Sequence, residues 1–386
     1  VELKIVENIR EVEENAWNRL VPSESVLNSY AYYRILEMHL SPALQQRYAL
    51  FFESGTLRGA AVLQTFRVHT DSMLHDTKST PWVRTLRDTM LSCIEGVVTV
   101  VGNLYAHGTL GVLWDTPSPP YSFILEAIAQ VVFQGDPALR SRFLIVKDLL
   151  ETDVGTDSVV DSLRSCGFWS MPTEPDMRLQ FSEKWTTFSH YLDALNSKYR
   201  KAVLRTEERL AESGCCFRVE TDLTTFYDKL YALYTDVSRR AKVQYPPLQP
   251  GYLPALAAAF GPDKFRCSVL WKDDTPVAYC TLICEHDVAY AHYLGYSRET
   301  ARRLPLYPAL MYRLVHDSMA MGCRALSLGR TALEAKARLG AVPVPMSVWI
   351  RHRCRALNVA VRPWIRMIPS EAPPERHPFA QSRMRN

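Results

Sequence analysis

His292 stands in the middle of an apolar and aromatic run, VAYAHYLGY, between Val288 and Tyr296. Imidazole is the side chain whose ordinary pKa lies nearest neutrality, so His292 is the first candidate for a proton acceptor, with Glu285 second and Tyr307 as an acid. Arg298, Arg302 and Arg303 follow closely, and Pro308 stands where a helix would begin. A helix N-terminus has free N–H groups that attract anions, so three arginines beside one predict an anionic ligand. Both features also have an ordinary reading, since a strand histidine can serve the core alone and loop arginines are commonly solvated.

These residues need particular elements to hold them. A strand over 288–295 would put Tyr290, His292 and Leu294 on one face and Ala289, Ala291 and Tyr293 on the other. Leu310, Leu314, Val315 and Met319 recur at helical spacing, and Gly322 stands where such a helix stops. A second short strand is expected over 325–328, with Gly329-Arg330-Thr331 opening the next turn. Two strands on either side of a helix make a βαβ unit, and ligands favour the carboxyl ends of such strands. Upstream, a helix over 188–213 has an apolar face at Leu195, Tyr199, Ala202, Thr206 and Leu210, and Gly214 ends it. Lys198, Lys201, Arg205 and Arg209 line one flank, which is either the solvated side of the helix or a contact for phosphates.

Gly295-Tyr296, the helix ending at Gly322 and the run Leu328-Gly329-Arg330-Thr331-x-x-Glu334-x-Lys336-x-x-Leu339-Gly340-Ala341 resemble the second half of the Fem-like branch of the GNAT acyltransferases. These are bacterial proteins built from two tandem GNAT-like domains. Lys198-Tyr199-Arg200 resembles the segment that opens that second half. The resemblance covers the last half of the chain well and the first half loosely. It implies an α/β (α+β) fold of two tandem GNAT-like domains, each a mixed, mostly antiparallel sheet flanked by helices. The expected division is 1–182, 183–350 as the active half, and an Arg/Pro-rich tail over 351–386.

The activity implied is amide formation between an activated acyl donor and an amine, with no tightly bound cofactor. The acceptor would be a small-molecule or peptide amine, in a cell-wall precursor, a lipid or a specialised metabolite. Substrates would lie over a splayed strand pair, expected between 277–284 and 288–295. Lys198, Arg200, Arg302, Arg303, Arg330 and Lys336 are the candidates for holding the donor, although Glu334 and Arg338 also read as an i, i+4 surface pair. CoA-dependent relatives carry a glycine loop before the crossover helix, whose N–H groups wrap the pyrophosphate. Here the sequence is Arg302-Arg303-Leu304-Pro305-Leu306-Tyr307-Pro308. That departure favours an aminoacyl-tRNA donor, although the long helical hairpin of some tRNA-dependent relatives is not found. An acyl thioester on CoA or on a carrier protein is the second reading, and a non-catalytic double-GNAT scaffold the third.

A length of 386 residues calls for two cores, and 47% hydrophobic with 22% charged residues is the composition of a globular protein. A net charge of +4 excludes a strongly basic nucleic-acid binder on bulk charge but permits a local basic groove. No apolar run is long enough to span a bilayer, and the acidic N-terminal stretch is unlike a signal sequence, so a cytoplasmic protein is expected. The first residue is Val rather than Met, so a trimmed leader stays open. The nine cysteines fit a reducing compartment, Cys280 and Cys284 read as core thiols, and no C-x-x-C pair points to zinc. No Ser-His-Asp order stands out. Oligomeric state is left open.

The first half predicts a strand over 3–6, an acidic helix over 11–19, a helix capped by Ser29, a hairpin turning at Glu53-Ser54-Gly55, strands over 97–101 and 143–146, and a helix over 121–133. Gly102 and Gly108 near Tyr105 and His107 could form a site in this half, although a turn that happens to contain a histidine is the plainer reading. In the tail, the arginines from Arg351 to Arg385 could touch RNA, an anionic lipid surface or nothing, and prolines 369, 373, 374 and 378 argue against a folded end.

Overall fold

Two mixed sheets form the frame, each with a single parallel strand pair among the described residues. In the first the order is β1 (Glu2–Val6), β2 (Leu44–Glu53), β3 (Thr56–Val68), β4 (Gly96–Val101), β6 (Phe143–Leu150), β15 (Met346–His352) and β7 (Trp169–Met171), with β5 (Val112–Trp114) also on β3. The second runs β14 (Val342–Val344), β8 (Asp176–Gln180), β13 (Ala325–Ser327), β12 (Val288–Tyr296), β11 (Thr275–Glu285), β10 (Phe265–Lys272) and β9 (Cys215–Glu220). The chain is seen as a computed structural model that describes residues 1–68, 96–108, 111–116, 120–135, 140–150, 156–171, 173–240, 245–365 and 373–380.

Local sequence explains most of these elements. The turn between β2 and β3 puts Ser54 and Gly55 at positive φ, the conformation that matches the twist of a two-residue hairpin. Among the helices, α1 (Glu14–Asn18) is one short piece of the expected acidic helix, separated from a 3-10 turn at Ile9–Glu11. Helix α2 (Tyr30–Met38) starts at Ser29, whose hydroxyl accepts from the Tyr32 N–H at 3.2 Å. Helices α3 (Tyr121–Gln130) and α4 (Thr156–Ser165) cover the first sheet through Ile124, Ile128 and Leu163, which pack with Phe51, Leu144 and Trp349.

The helix expected over 188–213 is two helices, α5 (Phe188–Ala194) and α6 (Ser197–Glu212). Leu195 leaves helical geometry to pair with Phe379, and the Asn196 N–H donates to the Pro378 carbonyl at 2.7 Å. A contact from far along the chain thus overrides a continuous apolar stripe. Beyond lie α7 (Tyr227–Ser238), α8 (Tyr252–Lys264), α9 (Arg298–Ala301), α10 (Leu306–Ala320) and α11 (Leu333–Ala337).

One strand, β8, ends just before the border expected at 182, and another, β15, spans the border expected at 350. β8 belongs to the second sheet, and β15 crosses back to fill the first sheet between β6 and β7. The region beyond 350 therefore begins folded: Arg351 lies in β15, over the Phe133 ring, with Nη1 2.7 Å from Glu126, and α12 (Arg355–Ile365) follows. Residues 373–380 pack on the second half, where Phe379 meets Trp185. Arg366, Pro369, Arg383 and Arg385 lie outside the described residues.

One apolar cluster spans both halves, joining Trp17, Tyr32 and Tyr48 to Leu230, Tyr252, Val269 and Tyr279. The opposite face of the second sheet packs on α5, α6 and α10 through Tyr191, Val203, Leu310 and Leu314. Cys280 and Cys284 are buried there. Among the described residues no helix is long and apolar enough to cross a membrane.

Candidate active site between the two halves

The strands that part are β12 and β13, not β11 and β12. β11 and β12 pair from Glu285–Val288 to Ala278–Tyr296, whereas β12 and β13 share only the pairs Val288–Ala325, Ala289–Leu326 and Tyr290–Ser327. A hairpin keeps its ladder because its strands are tied by a tight turn, whereas a parallel pair is joined through a helix and is free to diverge.

On β12 the expected two-residue alternation also fails. The register with β11 shifts between Cys280 and Leu282, and Thr281 exchanges bonds with Tyr293, whose N–H donates to Thr281 Oγ1 at 2.8 Å. This is a β-bulge: one extra residue swings Tyr290 and Tyr293 to the same face, against the first half, and sends Ala291 and Leu294 to the other. Gly295 allows α7 to sit on the strand, since a Cβ there would lie 2.8 Å from the Leu233 carbonyl carbon.

Into the mouth between β12 and β13 comes a loop of the first half. Lys147 on β6 donates to the carbonyls of Asn103 (2.7 Å) and Ala106 (2.6 Å), and Gln64 accepts from the Leu104 N–H at 2.7 Å. So held, the loop delivers His107, whose Nε2 is 2.7 Å from Ser327 Oγ and whose ring centroid is 5.3 Å from that of Tyr290. Ser327 donates to the Asp176 carboxylate, which also accepts from the Gly329 N–H (2.9 Å) and Arg178 Nε (2.7 Å). Around it, Arg330 pairs with Asp148 of β6, and Lys336 Nζ donates to the carbonyls of Gly329 (2.9 Å) and Arg330.

A family model described as an acetyltransferase (GNAT) domain matches residues 197–337. Residues 197–337 thus match a GNAT domain, and the chain as a whole shares the fold of several solved structures. That fold is shared with the crystal structure of FemX, at 12% identity over 94% of this chain and 100% of that one, with a TM-score of 0.53. It is shared too with the C-terminal domain of a putative lysylphosphatidylglycerol synthetase from Agrobacterium fabrum, at 11% identity, 92% and 97% coverage and a TM-score of 0.51. L-PGS from Bacillus licheniformis matches at 15% identity, 86% and 95% coverage and a TM-score of 0.50. No curated protein sequence matches the chain.

In this GNAT domain the sequence-predicted residues fall in three places. Arg330 and Lys336 come to the His107 cluster, but face inward: burial pushes Arg330 down to about 10 and Lys336 down to about 8, and both are tied to Asp148 or to backbone carbonyls. Arg302, Arg303 and Lys198 are exposed on the opposite side from the first half, and Arg200 lies 4.0 Å from Asp193. Arg209 donates to the Arg303 carbonyl at 2.5 Å, which joins the basic flank of α6 to the arginine loop. Tyr307, on that same side, is pushed up to about 12 by burial and by Tyr296.

His292 and Glu285 lie at the interface of the halves, with separate partners. Glu285 accepts from the N–H groups of Val26 (2.8 Å) and Leu27 (2.5 Å), and burial raises its carboxyl above the usual range. His292 Nε2 is 2.9 Å from Tyr252 Oη, which donates to Tyr32 Oη (3.2 Å), itself bonded by Asn103 Nδ2 (3.0 Å). Burial, with His107 adding, pushes His292 down to about 3. Beside it a small cleft is lined by Tyr231, Tyr234, Leu248, Tyr252 and Tyr293.

Asp176, Ser327 and Asp148 are not among the sequence candidates, and for His107 the plainer reading there is a turn residue rather than a site. Asp176 and Ser327 are 151 residues apart, and His107 reaches Ser327 across 220. The sequence signal for His107 was its place between Gly102 and Gly108, which fits a turn equally well.

Proposed function

We propose that the chain forms an amide bond by moving an aminoacyl group from aminoacyl-tRNA to an amine, in a cell-wall precursor or a specialised metabolite. The observation that carries the donor is the loop before α10. Where a CoA-binding loop needs free N–H groups to hold pyrophosphate, the N–H groups of Thr300, Ala301, Arg302, Arg303 and Leu304 are all spent within the α9 turn, on Ser297, Glu299 and Thr300. What the loop offers instead is side-chain charge: Arg302 and Arg303 continue, through the Arg209 contact, into the exposed Lys198, Lys201 and Arg205 of α6. A ridge of that length suits a polyanion better than a single pyrophosphate. An aminoacyl-tRNA donor would also place the reaction in the cytoplasm.

Amide formation needs the amine and the activated carbonyl held together, with a group to take the ammonium proton. The parting of β12 and β13 supplies a slot for the donor's acyl end, and the aromatic cleft beside Tyr252 and Tyr293 suits an apolar portion of the acceptor.

The test is thermal stability of the full chain with acetyl-CoA, longer acyl-CoAs, uncharged tRNA and aminoacyl-tRNA, since a ligand that binds the folded state raises its stability. A shift with tRNA that weakens with salt and vanishes in the R209E/R302E/R303E variant is expected. A shift with a CoA ester alone would replace the donor by a thioester. Silence from all of them would favour a carrier-protein donor or a scaffold.

A further inference from the structure

We infer that His107, from the first half, is the proton acceptor for the incoming amine, with its Nδ1 kept bare by the hydrogen-bonded line Asp176–Ser327–His107. This rests on the acyl-transfer reading above.

The direction of each bond follows from the donors available. An ionised Asp176 only accepts, so Ser327 spends its hydroxyl proton on Asp176, at 2.8 and 2.7 Å from its two oxygens. Ser327 Oγ must then accept at its contact with His107, 2.7 Å away, and the imidazole proton is on Nε2. Nδ1 is left with its lone pair, and among the described residues it has no hydrogen-bond partner. Gly329 keeps the space beside it clear: a Cβ at that position would lie 3.2 Å from Nδ1.

The surroundings suit a base that charges only transiently. Burial pushes His107 down to about 4; Asp176 opposes the shift, while Lys336, Lys147 and Arg330 add to it. The imidazole is therefore neutral at rest, and when it takes a proton the positive charge is met by Asp176 Oδ1, 3.9 Å from Nε2. His292 lacks such a counter-charge, because its line ends in the phenols of Tyr252 and Tyr32 and the amide of Asn103. Position agrees, since His107 touches both residues of the last β12–β13 pair.

In the step itself, the acceptor ammonium gives one proton to His107 Nδ1. The freed amine attacks the donor's ester carbonyl, a C–N bond forms, the nitrogen releases a second proton to solvent, and the C–O bond to the tRNA ribose breaks. The leaving oxygen takes the proton back from His107, which returns to its resting state.

The first test is the tautomer, read on wild-type full-length chain labelled with 15N-histidine, through two-bond ring correlations assigned with the H107Q variant. The expected result is Nε2–H with a bare Nδ1, kept in S327T and lost in S327A; an Nδ1–H imidazole in the wild type overturns the inference. The second is single-turnover transfer from aminoacyl-tRNA to ethanolamine as the probe amine. His107→Ala is expected to slow it about a hundredfold or more, with partial rescue by added imidazole. Equal rates for wild type and H107A overturn the inference while leaving the donor reading intact. No transfer by wild type, with the tautomer as expected, counts against the donor reading instead.

Discussion

Tyr290 and Ser327 form the last pair of the parallel ladder between β12 and β13, and the strands separate beyond them. The residue that sits on this pair comes from the other half of the molecule, since His107 bonds Ser327 and lies against the Tyr290 ring. The fork of the second sheet is thus completed by the first half. Four consequences can be measured.

Gly329 has φ +70, a conformation that costs a residue with a Cβ roughly 1–2 kcal/mol. Its missing side chain also makes room for His107. Gly329→Ala should lower the melting temperature by a few degrees and shift the His107 ring signals, while Gly322→Ala, with φ +75 and open space around it, should show the thermal loss alone.

The Arg330–Asp148 pair links the loop after β13 to β6 of the other sheet, with the Asp148 side chain only 2% exposed. Truncating one member of a buried pair costs about 3–5 kcal/mol because the remaining charge is stranded. Lys147 Nζ, 2.7 Å from Asp148, will offset part of this, so Arg330→Ala should fall near the lower end, by urea midpoint. Lys147→Met combined with Arg330→Ala should cost more than the sum of the single changes.

Stability should fall as pH drops below neutrality. Unfolded His292 takes its proton near 6.5, folded His292 only near about 3, so between these values the unfolded state holds the extra proton. The contribution is complete above 6.5 and lost by about 3, and His107 acts in the same sense down to about 4. Each can add up to about 1.4 kcal/mol per pH unit. In denaturation series from pH 7 to pH 5, His292→Gln should flatten the slope by about one proton; an unchanged slope would show that His292 is protonated in the fold.

Tyr252 Oη joins the rings of Tyr32 and His292 in a buried line. Tyr252→Phe keeps the ring packing but removes the oxygen, leaving His292 Nε2 without that partner. A cost of about 1–3 kcal/mol is expected, whereas His292→Leu in the same background should add little further loss.

The strands and helices were legible where local chemistry decides. Ser29 capping α2, Ser54-Gly55 turning the β2–β3 hairpin and Gly322 following α10 each act within a few residues of the chain. The expected fold of two mixed sheets flanked by helices is present, with a GNAT match over 197–337. Misreadings began where one residue was added or a distant segment intervened: the bulge on β12 reverses the faces of Tyr293 and Leu294, and Phe379 breaks the expected helix at Leu195. Neither leaves a mark in apolar periodicity.

By itself the sequence determined which segments form strands, helices and turns, that two cores are needed, and that the second half carries a GNAT pattern with a charged, glycine-poor loop before its crossover helix. Only the tertiary structure decided that β15 returns to the first sheet, that β12 and β13 are the strands that part, and that His107, Ser327 and Asp176 meet at the fork. The physical reason is range. Propensity, capping and turn geometry act over a few neighbouring residues, whereas strand partners and buried hydrogen bonds are chosen by the packing of the whole chain, across 151 residues for Ser327 with Asp176 and 220 for His107 with Ser327.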